Sequence, residues 1–376
     1  MALPPQHWRG LLLLEKATRS LCVGYSHGSL KRCEEKRLHL LRFLNARAQH
    51  VFAKITHLTA MQIPRLAALL MALAILTGIA GASYTFWVNP EIQFWKGAAQ
   101  KKLAWCEKVR AKHGYVIGVV GGSSTTFGID AAWIEKNHSL PVANLGLGAG
   151  AGADACAGFG LATLKRGDTL IVSVEPGLLT DDAGTTTAMG TQLAYAFGLP
   201  QMVDWGNKRP LHEQATDIFS LQPGGRNLVT MAGKLLFRMP LYRYDLKDAQ
   251  PGGLQVTQDR RPFDQNSNTD QEPAEMTLSA SGRKFLENLK KTADSLSIKV
   301  LYVLPWVYSH PNQASQAREI HARFLDQVEQ ILPVLQEDKR GTHEIRDDFA
   351  DTAMHLTGEG ATKRSEVLSK LLLQNQ

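Results

Sequence analysis

The run LAALLMALAILTGIAGASYTFWV, residues 66–88, constrains this chain more than any other feature. It holds no charged side chain over the roughly 20 residues that a helix needs to cross a hydrocarbon core. A helix inside a soluble domain is seldom apolar on every face for so long. Tyr84, Trp87 and Trp95 fall at its far end, where amphipathic rings anchor at a membrane interface. The run begins well behind the N-terminus, unlike the short core of a cleaved signal peptide. The sequence therefore predicts one transmembrane helix over 66–88.

Charge gives it a direction. Of the net charge of +7, much lies in residues 1–65, where eleven Lys and Arg face only Glu15, Glu34 and Glu35. The positive-inside rule keeps that basic arm in the cytoplasm and exports residues 89–376. The arm thereby reads as a topology determinant at the membrane surface, with no nucleic-acid partner. Cys22 and Cys33 fall in the arm. Cys106 and Cys156 fall in the exported part, where a disulfide is permitted and a buried free thiol is an equal reading. No CxxC spacing marks a metal or redox site.

Beyond the run, residues 89–114 read as an amphipathic helical neck. Strands are expected at 115–120, 141–146, 169–175, 299–305 and 343–347. Helices are expected at 131–137, 153–165, 281–297, 315–337 and 358–374. Such alternation, with near-continuous apolar strands, argues a parallel sheet covered on both faces. Residues 178–280 interrupt it with a helix near 187–198 and a polar tract. The tract reads as an insertion, with 247–275 a loop that buries little.

The first strand ends in VIGVVGGSSTTFGID, residues 116–130. A loop at such a strand end lies where parallel sheets bind ligands. Three chemistries compete for it. A phosphate-binding Walker loop requires a Gly-Lys-Ser/Thr that is absent. A dinucleotide site has a formal match in NLGLGAGAGAD, residues 144–154, with Glu175 at the end of the next strand, but Gly/Ala-rich runs match that pattern readily. The third is a serine nucleophile.

Here a resemblance enters. GSSTTFG, residues 122–128, is similar to the GDSLTxG block of the SGNH/GDSL hydrolases, with Ser124 at the nucleophile and Ser123 at the Asp of that block. NLGLGAG resembles the second block, whose Gly helps form an oxyanion hole. DTAMHLTGEGATKRSEVL, residues 351–368, resembles the last block, with His355 at its catalytic His. The resemblance implies a three-layer α/β/α flavodoxin-like parallel sheet preceded by a single transmembrane helix, as in membrane-anchored relatives serving polysaccharide O-acetylation and teichoic-acid D-alanylation. It implies a bacterial inner-membrane protein with its catalytic domain periplasmic or extracellular. The implied substrate is a cell-surface glycan or other acyl ester, and the implied partner a membrane-bound acyltransferase or polysaccharide-synthesis protein. Ser124, His355 and Asp351 are its expected triad. The backbone N–H groups of Ser124, Gly148 and Gly146 are its expected oxyanion donors. No metal or organic cofactor is implied. The spacing departs from the family's Asp-x-x-His, which would place Asp at Thr352, and Asp347 and Asp348 lie nearby. The family's GxND block has no counterpart, since VEPGLLTDD follows the third strand.

The chemistry agrees. A Ser hydroxyl is a poor nucleophile until a base takes its proton, and a carboxylate fixes the imidazole tautomer. Blander roles stand beside each residue. Ser124 and Ser123 suit a tight turn, Gly148 suits close strand–helix packing, and Thr357 suits an N-cap beside His355. His310 reads as a surface-loop residue. The rival function is a non-catalytic scaffold or glycan-binding component with a degenerate site.

Overall fold

The computed structural model describes residues 62–206, 209–219, 233–237, 239, 241–257 and 275–375, with five positions between residues 39 and 47. Cys22, Cys33 and most of the basic arm lie outside them. The chain divides into two compact units, Met1–Ile75 and Leu76–Gln376. Helix α1, Gln62–Ser83, runs across that division. Among the described residues, one stretch, Arg65–Val88, is long and apolar enough to cross a membrane by length and composition, and it is almost wholly exposed. Its last five residues, Tyr84–Val88, form a π-turn.

The second unit is mixed α/β. Strands β1 (Ile117–Val120), β2 (Val142–Asn144), β3 (Thr169–Val172) and β4 (Lys299–Tyr302) form one sheet in the order β2-β1-β3-β4. Every pairing is parallel, with Gly118 opposite both Ala143 and Leu170. β1 and β2 are buried throughout, as the apolar strand runs required. A second parallel pair joins β5 (Val307–Tyr308) to β6 (Thr342–His343).

The neck is helix α2, Pro90–His113. Asn89 caps it by accepting from the Glu91 and Ile92 N–H groups, Pro90 opens its first turn, and Gly114 closes it at φ +84°. It does not stand off as a spacer. Phe94, Trp95, Ala98, Trp105 and Val109 recur at helical spacing and are buried, and the Trp105 indole donates to the Val142 carbonyl. Short helix α3 (Ser123–Thr126) and α4 (Ala131–His138) follow β1. Next come α5 (Gly152–Thr163), α6 (Gly177–Thr180), α7 (Ala188–Phe197) and α8 (Leu211–Phe219). Helices α9 (Ala280–Leu296), α10 (Ala314–Glu329) and α11 (Gly358–Gln374) complete the order.

The strand expected over 343–347 is confined to Thr342–His343, with a 3-10 turn at Arg346–Asp348, and two further expectations need correction. The helix expected over 315–337 ends at Glu329. Pro333 cannot continue it. Instead, the Tyr302 N–H donates to the Pro333 carbonyl, the Leu335 N–H donates to the Tyr302 carbonyl, and Val334 bridges in parallel to β4. The second correction concerns the tract at 247–275. Of its described part, Leu254 and Gln255 are buried, and the Gln255 N–H donates to the Thr126 carbonyl. Gly252 and Gly253 turn the chain at φ +90° and +94°. The turn delivers Leu254 into a small apolar cluster with Trp306, Tyr308, Phe349 and Leu356. Residues 258–274 lie outside the described residues.

Cys106 and Cys156 are both buried free thiols, so no bridge joins them. Burial pushes the Cys156 thiol well above its ordinary range, which keeps it protonated and inert.

Gly253 tests the packed reading of this tract. A Cβ there lies 2.7 Å from the Asn144 carbonyl and 2.8 Å from the Lys102 side chain, on a left-handed backbone. Gly253→Ala is expected to cost about 1–3 kcal/mol. Denaturant unfolding of the full chain in detergent measures it, and an unchanged midpoint would return the segment to a loose loop.

Candidate functional site

In the order β2-β1-β3-β4, the chain leaves β1 toward β2 on one side and reaches β3 on the other. The loops at the carboxyl ends of β1 and β3 therefore part at this point, where open α/β sheets bind ligands. One carboxylate spans the gap. Glu175, after β3, accepts from the Gly122 N–H through Oε2 at 3.0 Å and from the Ser124 N–H through Oε1 at 2.9 Å. Gly122 has no side chain because the carboxylate lies in its place: a Cβ would sit 2.3 Å from Glu175 Oε2. The Thr125 hydroxyl donates to the Ser173 carbonyl, fixing the same loop a second time.

Asn144, at the end of β2, holds the loop from the other side. Its amide donates to the Thr125 and Ile129 carbonyls at 2.9 and 2.8 Å, and its Oδ1 accepts from the Gly146 N–H. Lys102 on α2 anchors Asn144 in turn, donating to its carbonyl, its Oδ1 and the Gly253 carbonyl. Lys102 is fully buried, and burial pushes its ammonium down to about 7.

Ser124 sits inside this frame at 4% exposure. Its Oγ has no hydrogen-bond partner among the described residues. An unpaired buried hydroxyl costs roughly 1–3 kcal/mol, so it calls for an explanation. Ser123 is half-buried, and its carbonyl accepts from the Phe127 N–H.

His355 stacks on Phe127, three residues past Ser124, with ring centroids 4.3 Å apart and planes 25° apart. His355 Nδ1 lies 2.8 Å from Asp351 Oδ1. The loop between them is closed by the Ala350 N–H donating to the His355 carbonyl. Thr352, where the family pattern has its Asp, turns the chain instead: its Oγ1 accepts from the Met354 and His355 N–H groups. That turn is why an Asp-x-x-x-His spacing brings the two side chains together. Of the other candidates, Asp348 pairs with His343 at 2.6 Å and with Lys363, while Asp347 is exposed. Thr357 caps α11 by accepting from the Gly360 N–H. His310 is exposed.

Two contributors lie in the insertion, where sequence reading placed no site residue. Arg243 forms an ion pair with Asp351 Oδ2. The Tyr244 hydroxyl lies 3.4 Å from the same oxygen and 3.3 Å from His355 Nδ1, and its ring packs on Phe127. Burial alone raises the Asp351 carboxyl, but the His355 hydrogen bond and the His355 and Arg243 charges outweigh it and hold the group below its ordinary value. Asp351 is therefore ionised at neutral pH, and the proton between the two belongs to His355 Nδ1. That leaves Nε2 as the imidazole's basic nitrogen.

The expected oxyanion donors fare unequally. The Ser124 N–H is committed to Glu175 and the Gly146 N–H to Asn144. Gly148 is buried, and a Cβ there would lie 2.8 Å from the Trp95 ring. No described residue accepts from the Gly148 N–H. The dinucleotide reading loses its acid, because Glu175 is turned onto the loop. Among the described residues no group of His, Cys, Asp and Glu is placed to hold a metal ion. No family model, curated protein or solved structure matches the chain.

Asp351 supplies a pH test. Its folded value is depressed, so its contribution to stability is present above the ordinary carboxylate range near 4 and is lost as pH falls through the folded value. Wild type is expected to exceed Asp351→Asn in stability at neutral pH, with the gap closing below about pH 4. Thermal melts of both proteins across that range check it, and a constant gap would remove the charge interaction from the account.

Proposed function

We propose that this chain is a membrane-anchored serine esterase or O-acyltransferase of SGNH/GDSL type. The observation that carries the reading is the buried Ser124 Oγ on a clamped loop, three residues before the Phe127 ring on which His355 stacks, with His355 Nδ1 held by an ionised carboxylate and no Ser124–His355 hydrogen bond formed in this state. His355 Nε2 takes the Ser124 proton as Oγ attacks an ester carbonyl. Asp351 fixes the tautomer and stabilises the imidazolium. The leaving alcohol receives that proton, and water or a sugar hydroxyl then accepts the acyl group from Ser124. The unengaged Gly148 N–H is the donor best suited to the oxyanion, and one such donor is worth about 3 kcal/mol. The strand order 2-1-3-4, extended by the Val334 bridge, supports the flavodoxin-like sheet that the resemblance implies. The apolar stretch Arg65–Val88 supports anchoring by a single helix, with the basic arm cytoplasmic and the substrate a cell-surface glycan ester.

A second reading has its own observation. Glu175 and Asn144 already occupy two of the three expected oxyanion donors, and a carboxylate near the oxyanion position would repel it. That arrangement favours a binding or scaffold component of a surface-polysaccharide assembly.

Labelling with a fluorophosphonate probe separates the two. The full chain in detergent is expected to label, Ser124→Ala and His355→Ala are expected to abolish labelling, and Ser123→Ala is expected to retain it. Turnover of an aryl ester should fall by roughly 10⁴-fold or more in the first two variants. A well-folded wild type that takes no label would leave the scaffold reading.

A further inference from the structure

The insertion carries an exposed apolar group that the site does not use. Phe219 is 48% exposed, Leu235 58%, Leu236 77%, Phe237 73% and Met239 55%. Phe219 and the group Leu235–Met239 flank residues 220–232, which lie outside the described residues, and side chains of this size left in water mark a contact surface. Both flanks are pinned to the base of the second unit. At one end, the Phe219 ring lies 3.7 Å from where a Gly78 Cβ would stand, and its carbonyl lies 2.1 Å from the corresponding point on Gly81. Only glycine in the last turns of α1 admits that approach. At the other end, the Tyr242 hydroxyl donates to Glu91 Oε1 at 3.1 Å, and its ring packs on Phe94 in the first turns of α2. The apolar side chains thus belong to a stretch bracketed by the exit of the apolar helix.

Depth can be read from the helix itself. The apolar stretch Arg65–Val88 has 24 residues and rises about 36 Å, somewhat more than a core of about 30 Å. Gly81 and Gly78 then lie about 10 and 15 Å short of its far end. With the excess length shared between the two faces, the Gly81 contact of Phe219 falls within the depth of about 5–10 Å at which an interfacial segment seats its apolar face, and the Gly78 contact lies just below it.

We propose that Phe219, Leu235, Leu236, Phe237 and Met239 form a second membrane contact, seated in the leaflet that receives the far end of α1. The occupant of this surface is the lipid bilayer. The proposal rests on the anchored-helix reading above and is independent of the reaction assigned to Ser124. Its consequence for the site is direct. Tyr242, Arg243 and Tyr244 follow Leu241 in the chain, so the stretch that meets lipid also carries the residues that pair with Asp351 and His355.

The test uses the full chain in phosphatidylethanolamine–phosphatidylglycerol vesicles. Cys22→Ser and Cys33→Ser remove the cysteines of the arm, while Cys106 and Cys156 are buried. An environment-sensitive fluorophore is then attached singly at Leu236→Cys, at Leu70→Cys within α1, and at Glu366→Cys on α11. Nitroxide-labelled acyl chains are expected to quench the probes at 70 and 236 and to spare 366, with iodide in the water doing the reverse. Quenching by lipid at 70 together with iodide access at 236 would overturn the proposal and leave the anchor intact. A probe at 236 shielded from both quenchers would also overturn it, since protein would then cover the surface. Loss of lipid quenching at 70 would overturn the anchor and the proposal together.

Discussion

Glu175 turns its buried carboxylate onto two backbone N–H groups, those of Gly122 and Ser124. Among the described residues no basic side chain pairs with it, so the loop's own amides replace water around the carboxylate. Removing them would leave buried carboxylate oxygens without hydrogen bonds, which costs about 1–3 kcal/mol for each unsatisfied group. The loop after β1 is consequently held to the strand end of β3, and Ser124 faces inward on a rigid support. Asn144 and Lys102 complete the frame from the β2 side, where the Thr125, Thr126 and Ile129 carbonyls and the Gly253 carbonyl converge. Three strand ends and one helix thus fix a single short loop, an outlay of buried polar groups that a mere turn does not need.

The frame also explains why the remaining partners come from far away. His355 reaches the loop by stacking on Phe127, and it lies in a turn shaped by Thr352 and Ala350. Arg243 and Tyr244 arrive from the insertion and meet Asp351 and His355, with Tyr244 packed on the same Phe127 ring as His355. A neighbouring pair, His343 and Asp348, has a different character. Trp306 stacks on His343 at 4.0 Å, Lys363 shares Asp348, and burial pulls the His343 imidazole below its ordinary value. It serves as packing between β6 and α11, unlike the Asp351–His355 pair, which stacks on Phe127 of the β1 loop.

Much of this was legible in the sequence for definable reasons. Strand and helix alternation follows from apolar period, so the order of elements from residue 115 onward was open to reading. Ser124, His355 and Asp351 were singled out by their resemblance to SGNH/GDSL blocks, and the structure brings His355 and Asp351 together through the Thr352 turn. Glu175 was visible only as an acid at a strand end. Its partner loop lies 51 residues away in sequence, and no local pattern records which backbone it will face. Arg243 and Tyr244 were hidden because their neighbours read as polar insertion. The PGGL turn was legible in principle, since paired glycines permit the left-handed turn that drops Leu254 into the core. Pro333 likewise marked the end of α10, but the apolar spacing on both sides of it read as one helix.

The central claim is that Ser124 becomes acylated with His355 as its base. The direct measurement is to mix the full chain with an aryl acetate, quench within the first turnover in acid, and map the acetyl group by peptide mass spectrometry. The account predicts one acetyl group on the peptide bearing Ser124, absent when His355 is replaced by Ala. Turnover without any acetyl on Ser124, or acetylation that survives the loss of His355 undiminished, would contradict it.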